Sequence, residues 1–418
     1  MLLMPLIISN YEYSLLFSIS FGWWCVNTFL RLANYFSKTQ KVFIIDMVGG
    51  YMHSRLPDNC QFIPYNHPEM LPPDTIVITQ SCPLWRIPFV EKFDRGTRVF
   101  FWNLHPDNLN PNIVRDKSGF KGLVRKFLNQ FDFLRKKKLK KQVEKLIEKK
   151  SIRFMDMENL NRTEKILGLD IEHDLLLPLI NSINIPERIL NFSVSKNDEV
   201  QCIWIGRIEG FKLEILLYTI TQMELYNKHR IHLTIVGDGD DKNQVDILLN
   251  QCKNISYTCT GNLQIHELTD VLKGKHLAFC MGTSALDSAS IGIPTVCLDY
   301  SHSKIKKFYQ FRFLYQNSGY RVGSEIISKD FYADSCNLQN IFNEIFQDGD
   351  NVSKKCFEYC LNNHSHRIAD DIPEIISNST LTIGELLDEN YFDTDIITDL
   401  FVKLLRREKV DSSGFILF

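Results

Sequence analysis

The stretch that decides the fold is QCIWIGRIEGFK, residues 201–212. It contains a short apolar run that ends at Gly206, and a helical pattern begins a few residues later. A short apolar run bounded by glycine is typical of a strand buried on both faces, as strands are in parallel sheets covered by helices. The stretch therefore predicts one strand–turn–helix unit of an α/β protein.

Runs of the same kind recur along the whole chain, separated by longer helical patterns. In the second half they are IHLTIVG (231–237), ISYTCTG (255–261), HLAFC (276–280) and TVCLD (295–299). In the first half they are LLMPLIIS (2–9), KVFIIDMV (41–48), DTIVITQS (74–81), TRVFFWNL (97–104), SIRFMDM (151–157) and DLLLPLI (174–180). This alternation predicts the α/β class, with two Rossmann-like domains built on parallel sheets.

A polar stretch at 184–200 divides the two sets of runs and is interpreted as a linker. We therefore expect an N-terminal Rossmann-like domain at 1–185. A C-terminal Rossmann-like domain is expected at 198–365. The remainder, 366–418, is expected to be a helical tail that could cross back to the first domain.

The composition is that of an ordinary globular protein. The 418 residues are 44% hydrophobic and 23% charged, with a formal net charge of −2. The eleven cysteines contain no C-x-x-C motif, so free thiols in a reducing cytoplasm are expected, without a disulfide framework or a structural metal. The apolar N-terminus has no basic region before it and is interrupted by polar residues, which favours neither a signal peptide nor a spanning helix.

Ligands of open parallel sheets bind beyond the carboxyl ends of the strands, so the residues that follow each run are the candidates for chemistry. After the first run of the second half, Gly206 permits a tight turn, and Arg207 and Lys212 bring two cations to the start of a helix. Two cations at a helix N-terminus suit a diphosphate. The alternative is an ordinary turn with solvated charges.

Three further strand ends carry candidate ligand residues. Gly237 lies in an Asp-Gly turn, which alone indicates a tight connection with room for a ligand. Gly261 and Asn262 end the next strand, where a nucleotide base could bond to the backbone. The last of these three loops, MGTSALDSASIGIP (281–294), is the fourth strand-end loop of the second half and carries several polar groups.

In that fourth loop Ser284 and Asp287 match a capping-box pattern, and on this interpretation Asp287 only satisfies backbone amides. On the other interpretation, Gly282, Thr283 and Ser284 meet phosphate oxygens at the helix start. Asp287 would then face the sugar hydroxyls of a nucleotide, since a carboxylate repels phosphate.

Taken in order, four motifs resemble the nucleotide-sugar half of a GT-B glycosyltransferase, in particular retaining family 4 and its bacterial surface-polysaccharide members. They are Gly206-Arg207 with Lys212, IVGDG (235–239), TGN (260–262) with Glu267-Leu268, and LDSASIGIPTV (286–296). The resemblance covers roughly residues 200–300. The first half of the chain agrees with the family in its alternation of strands and helices more than in motifs. The resemblance implies two Rossmann-like domains that face each other across a cleft. The domain at 1–185 would bind the acceptor, and the domain at 198–365 would bind the nucleotide sugar.

The resemblance also implies residue roles. Arg207 and Lys212 would bind the donor diphosphate, and Asp287 would accept hydrogen bonds from the ribose hydroxyls. Gly282, Thr283 and Ser284 would approach the phosphates or the transferred sugar. The family usually carries a glutamate where this chain has Phe279, and a second glutamate where it has aspartate, so the sequence departs from the pattern at the donor sugar.

In the first half, FFWNLHPDNLNP (100–111) follows a strand and exposes His105. Family members often carry a histidine in an equivalent loop near the donor sugar, so His105 is a candidate catalytic residue. A structural hydrogen-bonding role is the alternative.

Residues 120–150 carry 12 Lys or Arg against 3 Asp or Glu, with apolar residues at helical spacing. A basic amphipathic helix of this kind can bind anionic lipid, and the alternative is a solvated helix packed on the sheet. No nucleic-acid-binding motif surrounds it, so nucleic acid is not expected as a partner.

The sequence therefore predicts a hexosyltransferase-type enzyme of O-antigen or lipopolysaccharide type, peripheral on the cytoplasmic face of the membrane. It would move a sugar from a nucleotide-diphosphate sugar, expected to be a UDP-sugar, to a lipid-linked or oligosaccharide acceptor. The resemblance implies retention of configuration without a metal or a separate cofactor. The alternatives are an inverting GT-B transferase, a nucleotide-sugar epimerase, and a membrane-associated binding protein with a degenerate donor site.

Overall fold

The computed structural model describes residues 13–16, 23–80, 87, 89–106, 108–110, 132–181, 199–263, 265–305, 309–326 and 336–393. The chain divides into two compact units. Unit 1 comprises Met1–Ile180 and Ala369–Phe418, and unit 2 comprises Asn181–Ile368.

Unit 1 is built on a parallel sheet of six strands in the order β3-β2-β1-β4-β5-β6. The strands are β1 Tyr13–Leu16, β2 Val42–Asp46, β3 Cys60–Pro64, β4 Ile76–Gln80, β5 Arg98–Asn103 and β6 Ile152–Phe154. The helices are α1 Trp23–Phe36, α2 Asp132–Glu148 and α3 Met157–Leu167. This strand order is that of a doubly wound dinucleotide-binding sheet.

Unit 2 has a parallel sheet of five strands in the order β11-β10-β7-β8-β9. The strands are β7 Val200–Ile205, β8 Ile231–Val236, β9 Ile255–Gly261, β10 Leu277–Cys280 and β11 Thr295–Cys297. The helices are α4 Leu213–Leu225, α5 Lys242–Leu249, α6 Ile265–Leu272, α7 Thr283–Ser290, α8 Leu338–Asn363 and α9 His366–Ala369. Every residue of β10 and β11 is buried, as expected for strands covered on both faces.

From Ala369 onward the chain belongs to unit 1, where α10 (Ile372–Ser377) and α11 (Ile383–Asp388) lie. The Thr382 side chain caps α11, and Glu385 bonds back to the Thr382 amide in a capping box. Lys149 pairs with Glu385 at 2.6 Å, so the end of the basic segment contacts this returning helix.

Most predicted strands of both units are confirmed within a residue or two of their expected bounds. The predicted strand at 174–180 is wrong, because this stretch forms a 3₁₀ turn at His173–Leu175 and a single bridge from Leu176 to Phe154. Pro178 lacks the amide that a longer ladder requires. The predicted strand at 2–9, the linker at 184–200 (apart from its last two residues) and residues 120–131 of the basic segment lie outside the described residues.

Candidate functional site

Two glycines bring the loops after β7 and β8 into backbone contact. Gly237 has a φ of +137°, and a Cβ atom added to it would lie 2.0 Å from the Gly206 carbonyl oxygen. A Cβ on Gly239 would lie 2.4 Å from the carbonyl oxygen of Ile208. No side chain fits in either place. The Gly237 position is thus explained by loop packing, and its predicted contact with a donor stays a prediction.

Lys212 folds back over the end of β7. It ends the 3₁₀ turn Gly210–Lys212, and a Cβ added to Gly206 would lie 3.6 Å from its Nζ. Part of the residue reaches the surface, but burial of the ammonium, together with the positive charge of Arg207, lowers the pKa of Lys212 to about 8. Among the described residues no carboxylate forms an ion pair with this ammonium. A desolvated cation of this kind is suited to an anionic ligand.

Arg207 has a different environment from Lys212. Its side chain is 44% exposed, and its guanidinium pairs with Glu209 at 2.6 Å. The two predicted cations are therefore one buried ammonium and one surface guanidinium that already has a carboxylate partner. A diphosphate would have to displace Glu209 from Arg207 or share it.

The fourth loop ends at the N-terminus of α7, beside the β7 loop, because β10 and β7 are neighbours in the sheet. Gly282 is the N-cap residue with a φ of +65°, and its amide donates to the Val322 carbonyl at 2.7 Å. No side chain of the residues that the structure describes caps this helix. The first-turn amides of Thr283 and Ser284 have no earlier helical carbonyl to bond, so they are available to an anion.

A buried ion pair fixes the segment that holds Gly282. Arg312, which is fully buried, donates two hydrogen bonds to the Asp299 carboxylate, at 2.5 and 2.8 Å. The same carboxylate accepts the Ser324 amide at 2.8 Å. Because Val322 lies two residues before Ser324, this network places the carbonyl that receives the Gly282 amide.

The capping-box interpretation of Asp287 is wrong. The helix begins at Thr283, so Asp287 lies in its second turn, beyond the first-turn amides that a capping side chain bonds. Its Oδ1 instead accepts a hydrogen bond of 2.9 Å from Nδ2 of Asn181. The carboxylate is partly exposed, which is compatible with a ligand contact.

Gly261 and Asn262 lie where the sequence predicts them, at the carboxyl end of β9. The Gly261 carbonyl accepts the Gly237 amide at 2.9 Å, which joins this loop to the loop after β8. A Cβ on Gly261 would meet no atom within 4 Å, and Asn262 is exposed. These residues border open space, and their role toward a base stays a prediction.

Phe279 is a core residue. It is fully buried in β10, and its ring lies 6.2 Å from that of Phe311 in an edge-to-face arrangement. A carboxylate at this position would be buried inside the sheet. The burial of this strand therefore explains why an apolar residue stands where the family that the sequence resembles carries a glutamate.

His105 belongs to unit 1 and is described by itself. It follows the carboxyl end of β5, is partly buried, and its carbonyl accepts the Asn108 amide at 3.0 Å. The position at a strand end is the one expected from the sequence, and its catalytic role stays a prediction.

Sequence reasoning missed two residues of unit 2 that belong to this region. Asn181, which bonds Asp287, only appears in the sequence as a polar residue after an apolar run. Trp204 resembles any core residue of β7, yet its buried indole Nε1 has no hydrogen-bond partner among the described residues. A Cβ on Gly206 would lie 3.6 Å from that nitrogen, as it does from the Lys212 ammonium. Two donors thus flank Gly206.

Within the described ranges, no group of three His, Cys, Asp or Glu residues is arranged to hold a metal ion. In the same part of the chain, no helix combines the length and the apolar character needed to cross a membrane.

No protein-family model and no curated protein matches this sequence. Solved structures do. A glycosyltransferase from Rickettsia africae aligns with a TM-score of 0.56 and 12% identity, over 88% of this chain and 99% of that chain. WaaG, a glycosyltransferase involved in lipopolysaccharide biosynthesis, aligns with a TM-score of 0.50 and 12% identity, over the same shares of the two chains. This likeness confirms the predicted fold class, an α/β protein of GT-B type.

Proposed function

We propose that the protein is a glycosyltransferase that takes a sugar from a nucleotide-diphosphate sugar. The observation that carries this proposal is the buried Lys212 ammonium at the carboxyl end of β7, beside the N-terminus of α7. Within the described part of the chain, no carboxylate forms an ion pair with this ammonium and no side chain caps the helix. Both features favour an anion at one edge of the sheet, where ligands of this fold class bind. The likeness to solved glycosyltransferases supports the same conclusion at the level of fold.

The chemistry follows from where negative charge develops. Cleavage of the bond between the sugar and the diphosphate leaves charge on the departing oxygens. Lys212, Arg207 and the amides of Thr283 and Ser284 would stabilise that charge, because fixed donors in a partly water-excluded site need little reorganisation. Asp287 would hold the ribose. We propose a UDP-sugar as the donor, with retention of configuration and without a metal.

A thermal-shift panel of UDP, GDP, ADP and their sugars tests the donor assignment. A ligand that binds only the folded state at about a hundredfold excess over its Kd stabilises it by about 2.7 kcal/mol, so the correct base should stand out. The absence of a shift with every nucleotide would refute the proposal. Binding without transfer or hydrolysis would indicate instead the binding protein that the loss of the family glutamate allows.

We further propose a lipid-linked or oligosaccharide acceptor of the surface-polysaccharide type, met by a peripheral protein at the cytoplasmic membrane face. The likeness to WaaG supports this acceptor class. Near the N-terminus of α2, Phe133 and Leu134 are 64% and 53% exposed, next to the exposed Lys136 and Lys137. Apolar side chains among cations suit an anionic lipid surface.

Not every lysine of α2 is available to lipid. Lys138 donates to the carbonyls of Asn390 and Asp393, and Lys145 pairs with Glu389 at 2.6 Å. These lysines hold the returning part of the chain within unit 1. The proposed lipid surface therefore consists of Phe133, Leu134, Lys136, Lys137 and the exposed Lys141.

Vesicle flotation tests this surface. Neutralising Lys136, Lys137 and Lys141 should release the protein from vesicles that contain anionic phosphatidylglycerol, at about 1 kcal/mol per cation. The matched control is Lys145→Gln, which removes a cation of the same helix that is bonded inside the protein. Unchanged flotation of the triple variant would rule out this membrane surface.

A further inference from the structure

Asn181 is bonded on two sides at the start of unit 2. The residue is only 3% exposed. Its amide donates to the carbonyl of His364 at 3.0 Å, which fixes its backbone against the end of α8. Its side-chain Nδ2 donates to Oδ1 of Asp287 at 2.9 Å. A buried, anchored amide thus holds one oxygen of the carboxylate in a set direction.

The chemistry of the pair fixes which way the amide faces. An ionised carboxylate only accepts hydrogen bonds, so the asparagine has to present its NH₂ group to Asp287. A carboxylate offers about four acceptor positions, so it can accept from an amide and from hydroxyl groups of a ligand at the same time. The bond from Asn181 therefore orients the carboxylate without excluding a ligand.

We propose that Asn181 is a positioning residue for nucleotide binding, which orients Asp287 toward the two ribose hydroxyls. This inference rests on the proposed function, in which Asp287 binds ribose. Asn181 does not touch the ligand. Without its amide, the Asp287 side chain gains rotamers that do not meet the hydroxyls, and an aspartate at 181 would repel it.

The test measures dissociation constants of the full-length protein for three probes by calorimetry. The probes are UDP, 2′,3′-dideoxy-UDP, which lacks the ribose hydroxyls, and inorganic pyrophosphate. Asn181→Ala and Asn181→Asp should weaken UDP binding by about tenfold, the usual effect of a lost hydrogen bond to a charged group. Binding of the other two probes should stay within about twofold of wild type, on the scale of the error in such comparisons.

The matched control is Asn363→Ala. Asn363 lies at the end of α8, against which Asn181 is fixed, and its side chain donates to the Tyr359 carbonyl at 2.9 Å. This variant should bind all three probes as wild type does. Equal weakening of all three probes in the Asn181 variants would mean a merely structural role and overturn the inference.

The two proposals fail differently. If wild type binds UDP and Asn181→Ala binds it equally well, the role of Asn181 is overturned and the proposed function stands. If wild type binds neither UDP nor pyrophosphate, the proposed function itself is overturned. Thermal unfolding of each variant checks that the folded state persists.

Discussion

The buried ammonium of Lys212 should make the free protein less stable than it would be with an apolar side chain at that position. Burial and Arg207 lower the pKa of Lys212 from 10.5 to about 8. At about 1.4 kcal/mol for each pH unit, this corresponds to about 3 kcal/mol of lost stability near neutral pH. Because part of the residue reaches the surface, we expect Lys212→Met to raise the free energy of unfolding by about 1–2 kcal/mol.

The gain should depend on pH with a definite sign. The folded-state pKa lies below the unfolded-state value, so the unfolded chain binds more protons between about pH 8 and pH 10.5. The stability of wild type should therefore rise across this window relative to the variant. Urea unfolding of both proteins at about pH 7 and about pH 10 measures the difference, which should be largest at the lower pH and shrink at the higher one.

The same substitution should abolish the pH dependence of anion binding. Above about pH 8 the free wild-type protein loses the Lys212 proton, so its affinity for UDP should fall, at most by about tenfold per pH unit. Lys212→Met should bind UDP weakly at every pH. If the variant is less stable than wild type at neutral pH, or if the stability difference does not vary with pH, the argument from burial is refuted.

Four other substitutions test the site and its support. In urea unfolding, Gly237→Ala should lower the free energy of unfolding by more than about 3 kcal/mol, because the new Cβ would overlap a backbone oxygen. Gly261→Ala, which has open space around it, should lower it by about 1 kcal/mol. Similar losses would contradict the close contact of the two loops. Asp299→Asn should lower the free energy of unfolding by about 3–5 kcal/mol, because it leaves Arg312 buried without its counter-ion. A loss below about 1 kcal/mol would contradict the burial of this pair. Arg207→Ala should lower the turnover of sugar transfer by about a hundredfold, and a near-normal rate would remove it from the site.

The strands were predictable because their signal is local. Val42–Asp46, for example, is buried at every residue, and an uninterrupted apolar run is the direct trace of such burial. The strand Cys60–Pro64 is not predicted, because it mixes buried, half-buried and exposed residues without a regular period and ends in proline, which resembles a loop. The order of the strand-end loops along the chain could also be predicted, because each loop directly follows its strand in the sequence.

The environment of the candidate residues could not be predicted in the same way. Asp287 matches a local capping pattern, but its actual partner lies 106 residues away in the sequence. The lowered pKa of Lys212 depends on how the β7 loop folds over the ammonium, which no spacing of charges reveals. Counting from the motif places Phe279 where the family that the sequence resembles has a glutamate, and only the burial of β10 explains why an apolar residue is required there.

The position of Asn181 has a consequence for protein engineering. It is the first residue of unit 2, and it precedes the polar stretch that the sequence suggests as a linker. A chimera joined within 184–200 would therefore take the partner of Asp287 from the wrong parent. Exchange of the second half between related chains should be made before residue 181, so that the carboxylate and its amide are inherited together.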